Sequence, residues 1–149
     1  MADDIFLKYL ATAANETNKH LEGLLPKIDD SWVASAMRYA VLNGGKRLRA
    51  FLSLQSGELF GASKLQSLQT AAVIEIIHAY SLVHDDLPSI DNDDLRRGQL
   101  TVHRKWDEAT AILTGDSLQS LAYEILADEK THPDANVRIS LILELSKAS

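Results

Sequence analysis

The sequence contains no cysteine, so disulfide bonds and thiolate metal sites are excluded. No uncharged stretch approaches the roughly 20 residues that a membrane-spanning helix needs, and the first residues lack the basic and apolar regions of a secretory signal. There is no tract of Lys and Arg, and the net charge of −6, from 21 acidic and 15 basic residues, argues against non-specific binding of nucleic acid. We therefore expect a cytoplasmic protein with no membrane span and no nucleic-acid partner.

What the sequence does contain is the composition of one globular domain. Its 149 residues are enough to bury a core, and 46% of them are hydrophobic and 24% charged. Apolar residues recur at helical spacing along the chain, and no segment alternates with period two for long enough to predict a strand. The predicted fold class is all-α, a helical bundle whose core lies around the fourth helix.

Six helices are predicted from capping residues and helix breakers. The first begins near Asp3 or Asp4 and ends before Pro26, and its predicted inner face consists of Ile5, Leu10, Ala14, Thr17, Leu21 and Leu24. The other helices are predicted at Ser31 to Gly44-Gly45, Lys46 to Phe60, Ser63 to the aspartates at 85, Asp107 onward with Ala111, Leu118, Ala122 and Ile125 inside, and Asp134 to about Lys147 with Pro133 in the first turn.

The most informative segment is residues 85–94, here called the acidic segment, which has five carboxylates and directly follows an apolar run. Like charges at this density repel unless they are neutralised, and hard divalent cations with oxygen ligands are the natural candidates. Pro88 breaks the helix, so the carboxylate of Asp91 can turn back toward Asp85. Arg96 and Arg97 follow, and guanidinium groups suit bidentate binding of phosphate. The segment therefore predicts a site for a magnesium-bound diphosphate.

An acidic run more commonly arises as a solvated loop between helices. Here, however, the preceding residues 71–83 are apolar enough to be buried, so the carboxylates begin where a core helix ends. A calcium loop of the EF-hand type is rejected, because Leu95 and Arg96 stand where an oxygen ligand and a glycine are needed.

His78, Ser81 and Asp85 are spaced i, i+3, i+7 and so share one face of the fourth helix. A helical histidine is often a satisfied core residue, but this face leads directly to the acidic segment, so a ligand-binding role for His78 stays equally open. His84 lies roughly 100° around the helix from Asp85 and is expected to bond a neighbouring backbone or side-chain group.

A second cluster is residues 44–49, here called the basic loop, in which two glycines precede Lys46, Arg47 and Arg49. Cations in the first turn of a helix are unfavourable, because the N-terminus is the positive end of the helix dipole. An anion would resolve the conflict, and backbone N–H groups with Lys46 and Arg49 beside them would form a second phosphate site. The alternative is a glycine helix stop followed by exposed basic residues.

Taken together, these motifs resemble the trans-polyprenyl diphosphate synthases, specifically the bacterial farnesyl diphosphate synthase type. The resemblance covers essentially the whole chain and rests on the basic loop, on residues 75–84, on the Asp-Asp-x4-Asp motif at 85–91 with Arg-Arg-Gly at 96–98, and on residues 107–116. It implies a fold of the isoprenoid synthase type, with residues 1–149 as the N-terminal half of a single all-α domain.

The resemblance also implies an activity and a set of site residues. The family condenses an allylic diphosphate, dimethylallyl or geranyl, with isopentenyl diphosphate to give farnesyl diphosphate through Mg²⁺-assisted ionisation. The implied roles are Mg²⁺ binding by Asp85, Asp86 and Asp91, catalysis by Asp85, Asp86 and Arg96 with Arg96 on the allylic diphosphate, isopentenyl diphosphate binding by Gly45, Lys46, Arg49, His78 and Arg97, and control of product length by Tyr80 and Ser81.

Tyr80, five positions before Asp85, with Ser81 and Pro88, matches the pattern of a C15 producer, although spacing alone is equally compatible with a tyrosine packed in the core. Family members continue beyond this length through a further Lys-Thr pair, a Gln and a second aspartate-rich motif, which these 149 residues do not include. A smaller departure is Ala50, where the family often has proline. We therefore expect a chain that is inactive alone and that forms a homodimer or associates with a C-terminal half. A non-catalytic diphosphate-binding or partner subunit is the main alternative; a terpene cyclase fits less well with the isopentenyl-site residues.

Overall fold

The structure, a computed structural model, describes residues 2–27 and 31–149 and confirms the all-α fold class. The helices within these residues are α1 (Ala2–Leu24), α2 (Trp32–Leu42), α3 (Leu48–Leu59), α4 (Lys64–Asp85), α5 (Val102–Lys105), α6 (Glu108–Ala127) and α7 (Ala135–Ala148). Two short strands, β1 (Leu95–Arg96) and β2 (Gln99–Leu100), pair antiparallel between α4 and α5. None of the described helices is long and apolar enough to cross a membrane.

The predicted capping residues are confirmed. The Ser31 hydroxyl accepts the Ala34 N–H at 3.3 Å at the start of α2. Ser63 and the third residue of α4 form a capping box, and the Asp107 carboxylate accepts the Thr110 N–H at 2.6 Å at the start of α6. These bonds satisfy N–H groups that have no partner inside the helix, which is why the helices begin at these residues.

Three local predictions need correction, and two short elements were missed. Ile5 is 57% exposed, and the other side chains of residues 4–9 are exposed as well. The third helix begins at Leu48 and not at Lys46. Pro133 precedes the Asp134 cap and so lies outside the first turn of α7. The β-hairpin and the four-residue α5 were not predicted, because elements this short have no periodicity to detect.

The core lies around α4, as predicted. α4 contacts α1, α2, α3 and α6, and its residues enter the largest buried cluster together with side chains of α1, α2 and α6. The predicted inner residues of the fifth helix, now α6, are all buried: Ala111, Leu118, Ala122 and Ile125. Because most of α4 is buried, the position of its C-terminal end, where the acidic segment begins, is fixed by the core.

Candidate functional site

The basic loop lies between α2 and α3 and is shaped by residues with positive φ. Gly44 and Gly45 have φ of +73° and +115°, and Arg47 has φ of +50°. A left-handed conformation costs a non-glycine residue about 1–2 kcal/mol, so it persists only where the surroundings determine it. The hydrogen bonds of the Arg47 side chain hold its backbone in this conformation.

The Arg47 side chain is buried in a hydrogen-bond network. Its Nη1 donates to Glu75 Oε2 at 2.9 Å, its Nε to Asn18 Oδ1 at 2.9 Å and its Nη2 to the Val41 carbonyl at 2.6 Å. Glu75 Oε1 also accepts the Ala50 N–H of α3 at 3.1 Å. Arg47 is 5% exposed and Glu75 is 3% exposed. The two residues therefore form an internal ion pair, and neither charge faces solvent.

This network corrects the interpretation of the basic loop as three cations in a helical first turn. Lys46 and Arg47 precede α3, and only Arg49 lies within its first turn. The anion at the N-terminus of α3 is the Glu75 carboxylate of α4, so the conflict with the helix dipole is resolved inside the protein. Glu75 was not among the predicted site residues, although a carboxylate amid the apolar residues of a core helix was a signal that it needs a buried partner.

Arg97 reaches the basic loop from the β-hairpin. Its Nη1 donates to the carbonyls of Asn43, at 3.4 Å, and Gly44. A Cβ on Gly45 would lie 2.7 Å from Arg97 Nη1, so only glycine permits this close approach. The structure thus places the predicted site residues Gly45 and Arg97 in contact.

Arg49 and His78 meet across α3 and α4, with Arg49 Nη1 3.4 Å from His78 Nε2. The Ser81 hydroxyl donates to the His78 carbonyl at 3.0 Å, within the same helix. Partial burial, and then the positive charge of Arg49, lower the pKa of His78; Arg97 acts in the same direction. Lys46 is exposed to solvent. The surface around His78 is therefore cationic. Among the residues that act on His78, the one carboxylate is the buried Glu75.

His78 should make the stability of the protein depend on pH. Its pKa is lower in the folded chain than its ordinary value of about 6.5, so the unfolded chain takes up the proton first as the pH falls. We expect the free energy of unfolding to decrease as the pH falls through about 6.5, the ordinary pKa of histidine, and to decrease less in His78→Gln. Urea unfolding at several pH values measures this difference, and parallel curves for the two proteins would contradict it.

The acidic segment turns back on itself where α4 ends. The Asp91 N–H donates to the Asp85 carbonyl at 2.9 Å, so the break after Pro88 does return the chain toward Asp85. Asp85 is half-buried and Asp91 is exposed. Asp86 is 3% exposed, and its Oδ1 accepts Arg96 Nε at 2.8 Å and Nη2 at 2.5 Å. Hydrogen bonding to Asp86 is the main reason that the pKa of Arg96 is raised.

The acidic segment could contribute one or two carboxylate ligands to a divalent cation. Within residues 2–27 and 31–149, no three His, Asp or Glu side chains are grouped so as to hold a metal ion by themselves. Mg²⁺ in enzymes that bind phosphates is commonly held by one or two carboxylates together with substrate phosphates. Asp85 and Asp91 fit that pattern, whereas Asp86 is engaged by Arg96.

Tyr80 and His84 lie on neighbouring turns of α4, with ring centroids 5.0 Å apart in an edge-to-face arrangement. His84 Nε2 lies 3.1 Å from the Ile112 carbonyl of α6, which confirms the expected backbone partner. A Cβ on Gly115 would lie 2.0 Å from the same nitrogen. α6 therefore approaches α4 closely beside the acidic segment because residue 115 is glycine.

The chain is similar along most of its length to known proteins. Residues 30–146 match the Polyprenyl synthetase family. The chain is 45% identical over 147 residues to the farnesyl diphosphate synthase of Escherichia coli, covering 97% of this chain and 49% of that protein. It is 50% identical over 123 residues to the farnesyl diphosphate synthase of Haemophilus influenzae, covering 81% and 42%.

The same holds for solved structures. The apo crystal structure of an FPP/GFPP synthase from Zymomonas mobilis matches with a TM-score of 0.92 at 45% identity, over 97% of this chain and 53% of that chain. A geranyltransferase structure from Legionella pneumophila matches with a TM-score of 0.81 at 39% identity, over 89% and 47%. This chain spans about half the length of the curated relatives it matches. It belongs to the polyprenyl synthetase family and has the isoprenoid synthase fold.

Proposed function

We propose that this chain supplies the diphosphate-binding part of a prenyltransferase that joins an allylic diphosphate, dimethylallyl or geranyl, to isopentenyl diphosphate and forms farnesyl diphosphate. The observation that carries the proposal is the β-hairpin, which links two groups of opposite charge. Arg96 donates to Asp86 in the acidic segment, and the adjacent Arg97 donates to Gly44 in the basic loop. Two diphosphates bound at these two places would lie side by side.

The acidic segment is the proposed site of the allylic diphosphate. Asp85 and Asp91 would hold Mg²⁺. Asp86 is bonded to Arg96, and its role as a further metal ligand stays a prediction. Bound Mg²⁺ would supply positive charge to the diphosphate as it leaves the allylic carbon. Arg96, fixed by Asp86, would hold the same diphosphate, so that its charge is in place before the carbon–oxygen bond breaks.

The basic loop is the proposed site of isopentenyl diphosphate. Arg49, Lys46 and Arg97 would neutralise its charge without a metal, and His78 would donate a hydrogen bond from α4. Gly45 allows the Arg97 guanidinium to lie against the loop. The double bond of isopentenyl diphosphate would then attack the allylic carbocation, and loss of a proton would complete the reaction.

The partners of the chain follow from the same proposal. Residues 1–149 would form the N-terminal half of one all-α domain that pairs with a C-terminal half, and the complete protein would be a homodimer. Support comes from α6 and α7, where large apolar side chains face solvent. These are Ile112, Leu113, Ile139 and Leu143.

A chimera tests the proposed function directly. Residues 1–149 would replace the matching part of the Escherichia coli farnesyl diphosphate synthase, to which they are 45% identical. We expect the purified chimera to convert radiolabelled isopentenyl diphosphate and geranyl diphosphate to farnesyl diphosphate. A folded chimera that binds both diphosphates without forming product would contradict the proposal and favour the non-catalytic partner subunit.

Tyr80 is expected to limit the product length. It lies on the turn of α4 before the acidic segment, half-buried and held edge-to-face by His84. In the chimera, Tyr80→Ala should shift the products toward chains longer than C15, because it removes bulk where the growing chain would end. Chromatography of the products measures the shift, with Tyr9→Ala, an exposed tyrosine on α1, as the control. An unchanged product profile would count against Tyr80, and with it Ser81, as determinants of length.

A further inference from the structure

We propose that Glu75 is a positioning residue for isopentenyl diphosphate, acting through its buried pair with Arg47 to hold the basic loop in its binding conformation. The proposal rests on the proposed function, because it concerns the same site. Glu75 and Arg47 do not touch the ligand, since both are buried. They act on the backbone from which the ligand-binding cations project.

The two carboxylate oxygens of Glu75 hold two sides of the basic loop. Oε2 accepts from the Arg47 side chain, and Oε1 accepts the N–H of Ala50 in the first turn of α3. Lys46 precedes the first of these anchored residues, and Arg49 lies between the two. The backbone of both exposed cations is thus fixed by one carboxylate on α4.

Arg47 extends this anchor to two more helices. Its other two donor contacts go to Asn18 of α1 and to the carbonyl of Val41 in α2. The loop is therefore held against three helices by one guanidinium, which also explains why Arg47 adopts a left-handed conformation. Among the three cations in the loop sequence, Arg47 is the one withdrawn from solvent, so that Lys46 and Arg49 remain for the ligand.

Without the anchor, the cations would lose a fixed geometry. Lys46, Arg49 and Arg97 repel one another in the absence of ligand, and a loop free to move would separate them. Binding of the diphosphate would then have to order the loop as well, which weakens affinity. The acidic segment has its own anchor in the pair of Asp86 and Arg96, so its affinity should not depend on Glu75.

The experiment compares two ligands by calorimetric titration of the chimera described above, whose residues 1–149 are those of this chain, so that the exposed faces of α6 and α7 are covered. One is isopentenyl diphosphate without metal, and the other is a non-reactive allylic diphosphate analogue with Mg²⁺. In Glu75→Gln, which keeps the size of the side chain, we expect the Kd of isopentenyl diphosphate to rise about tenfold and that of the allylic analogue to change less than about twofold. Asn18→Ala removes only the outermost bond of Arg47, so it keeps the buried charges paired and should give about a threefold rise.

Gln69→Leu is the matched control. Gln69 is also a buried polar residue of α4, and its partner is His20 at 2.7 Å, away from the basic loop. It should lower the melting temperature without changing either Kd. If Glu75→Gln and Asn18→Ala bind isopentenyl diphosphate as the unsubstituted chimera does, or if they weaken both ligands equally, the positioning role is wrong. If the unsubstituted chimera binds no isopentenyl diphosphate, the proposed function falls and this proposal falls with it.

Discussion

A polypeptide of these 149 residues, purified and verified by mass, is expected to form no detectable farnesyl diphosphate. The resemblance to the family implies that the allylic diphosphate is gripped by Mg²⁺ from two aspartate-rich motifs on opposite walls, and the 149 residues contain one such motif. Loss of a preorganised charge stabiliser costs about 3 kcal/mol or more in the transition state, and several are absent together. Turnover should therefore fall to background.

The structure gives the isolated chain a second obstacle. None of the 14 residues of α7, all of them described, is buried, and apolar side chains of α6 and α7 face solvent. Such a surface favours association or aggregation. A radiolabelled isopentenyl diphosphate assay measures the activity, with the chimera as the positive control and a C-terminal half added in trans as the rescue. Sustained turnover by the chain alone would show that a second metal-binding wall is not required.

Asp86→Ala is expected to lower the free energy of unfolding by about 3 kcal/mol, because it removes both hydrogen bonds to Arg96 and leaves that partly buried guanidinium with only its longer contact to Asp93. Asp86 is nearly inaccessible and accepts two hydrogen bonds from Arg96, so the substitution detaches β1 from the end of α4. The value is at the lower end of the range for such pairs, because Arg96 is 30% exposed and also lies 3.4 Å from Asp93.

The control for this prediction is Asp94→Ala. Asp94 pairs with Arg104 at 2.9 Å in the same part of the chain, but both side chains are more than half exposed. Exposed pairs contribute about 0–1 kcal/mol, so little stability should be lost. Urea denaturation of the two variants measures the difference, and equal losses would contradict the buried character of the pair formed by Asp86 and Arg96.

The parts of the fold that could be predicted from the sequence depend on local bonds. Ser31, Ser63 and Asp107 cap helices through N–H groups three residues away, so a short window of sequence contains all the information. The helical period likewise identified the buried face of α6. Periodicity does not indicate where a core ends, which is why Ile5 was placed inside although its side chain is 57% exposed.

The placement of the predicted site residues followed from the sequence only in part, and their roles stay a prediction. Arg49, His78, Gly45 and Arg97 come together as the motifs suggested. The start of α3 was misplaced because the conformation of Arg47 is set by Glu75, 28 residues further along the chain. No rule based on helix dipoles could reveal that the anion at this helix end is a side chain of another helix.

The central claim, that the acidic segment holds a diphosphate through Mg²⁺, is tested most directly by calorimetric titration of the chimera, which contains residues 1–149, with a non-reactive allylic diphosphate analogue. We expect much tighter binding with Mg²⁺ than without it, a corresponding rise in melting temperature, loss of the metal-dependent part in Asp85→Ala, and its retention in Asp94→Ala. Equal binding with and without Mg²⁺, or metal-dependent binding that survives Asp85→Ala unchanged, would contradict the claim.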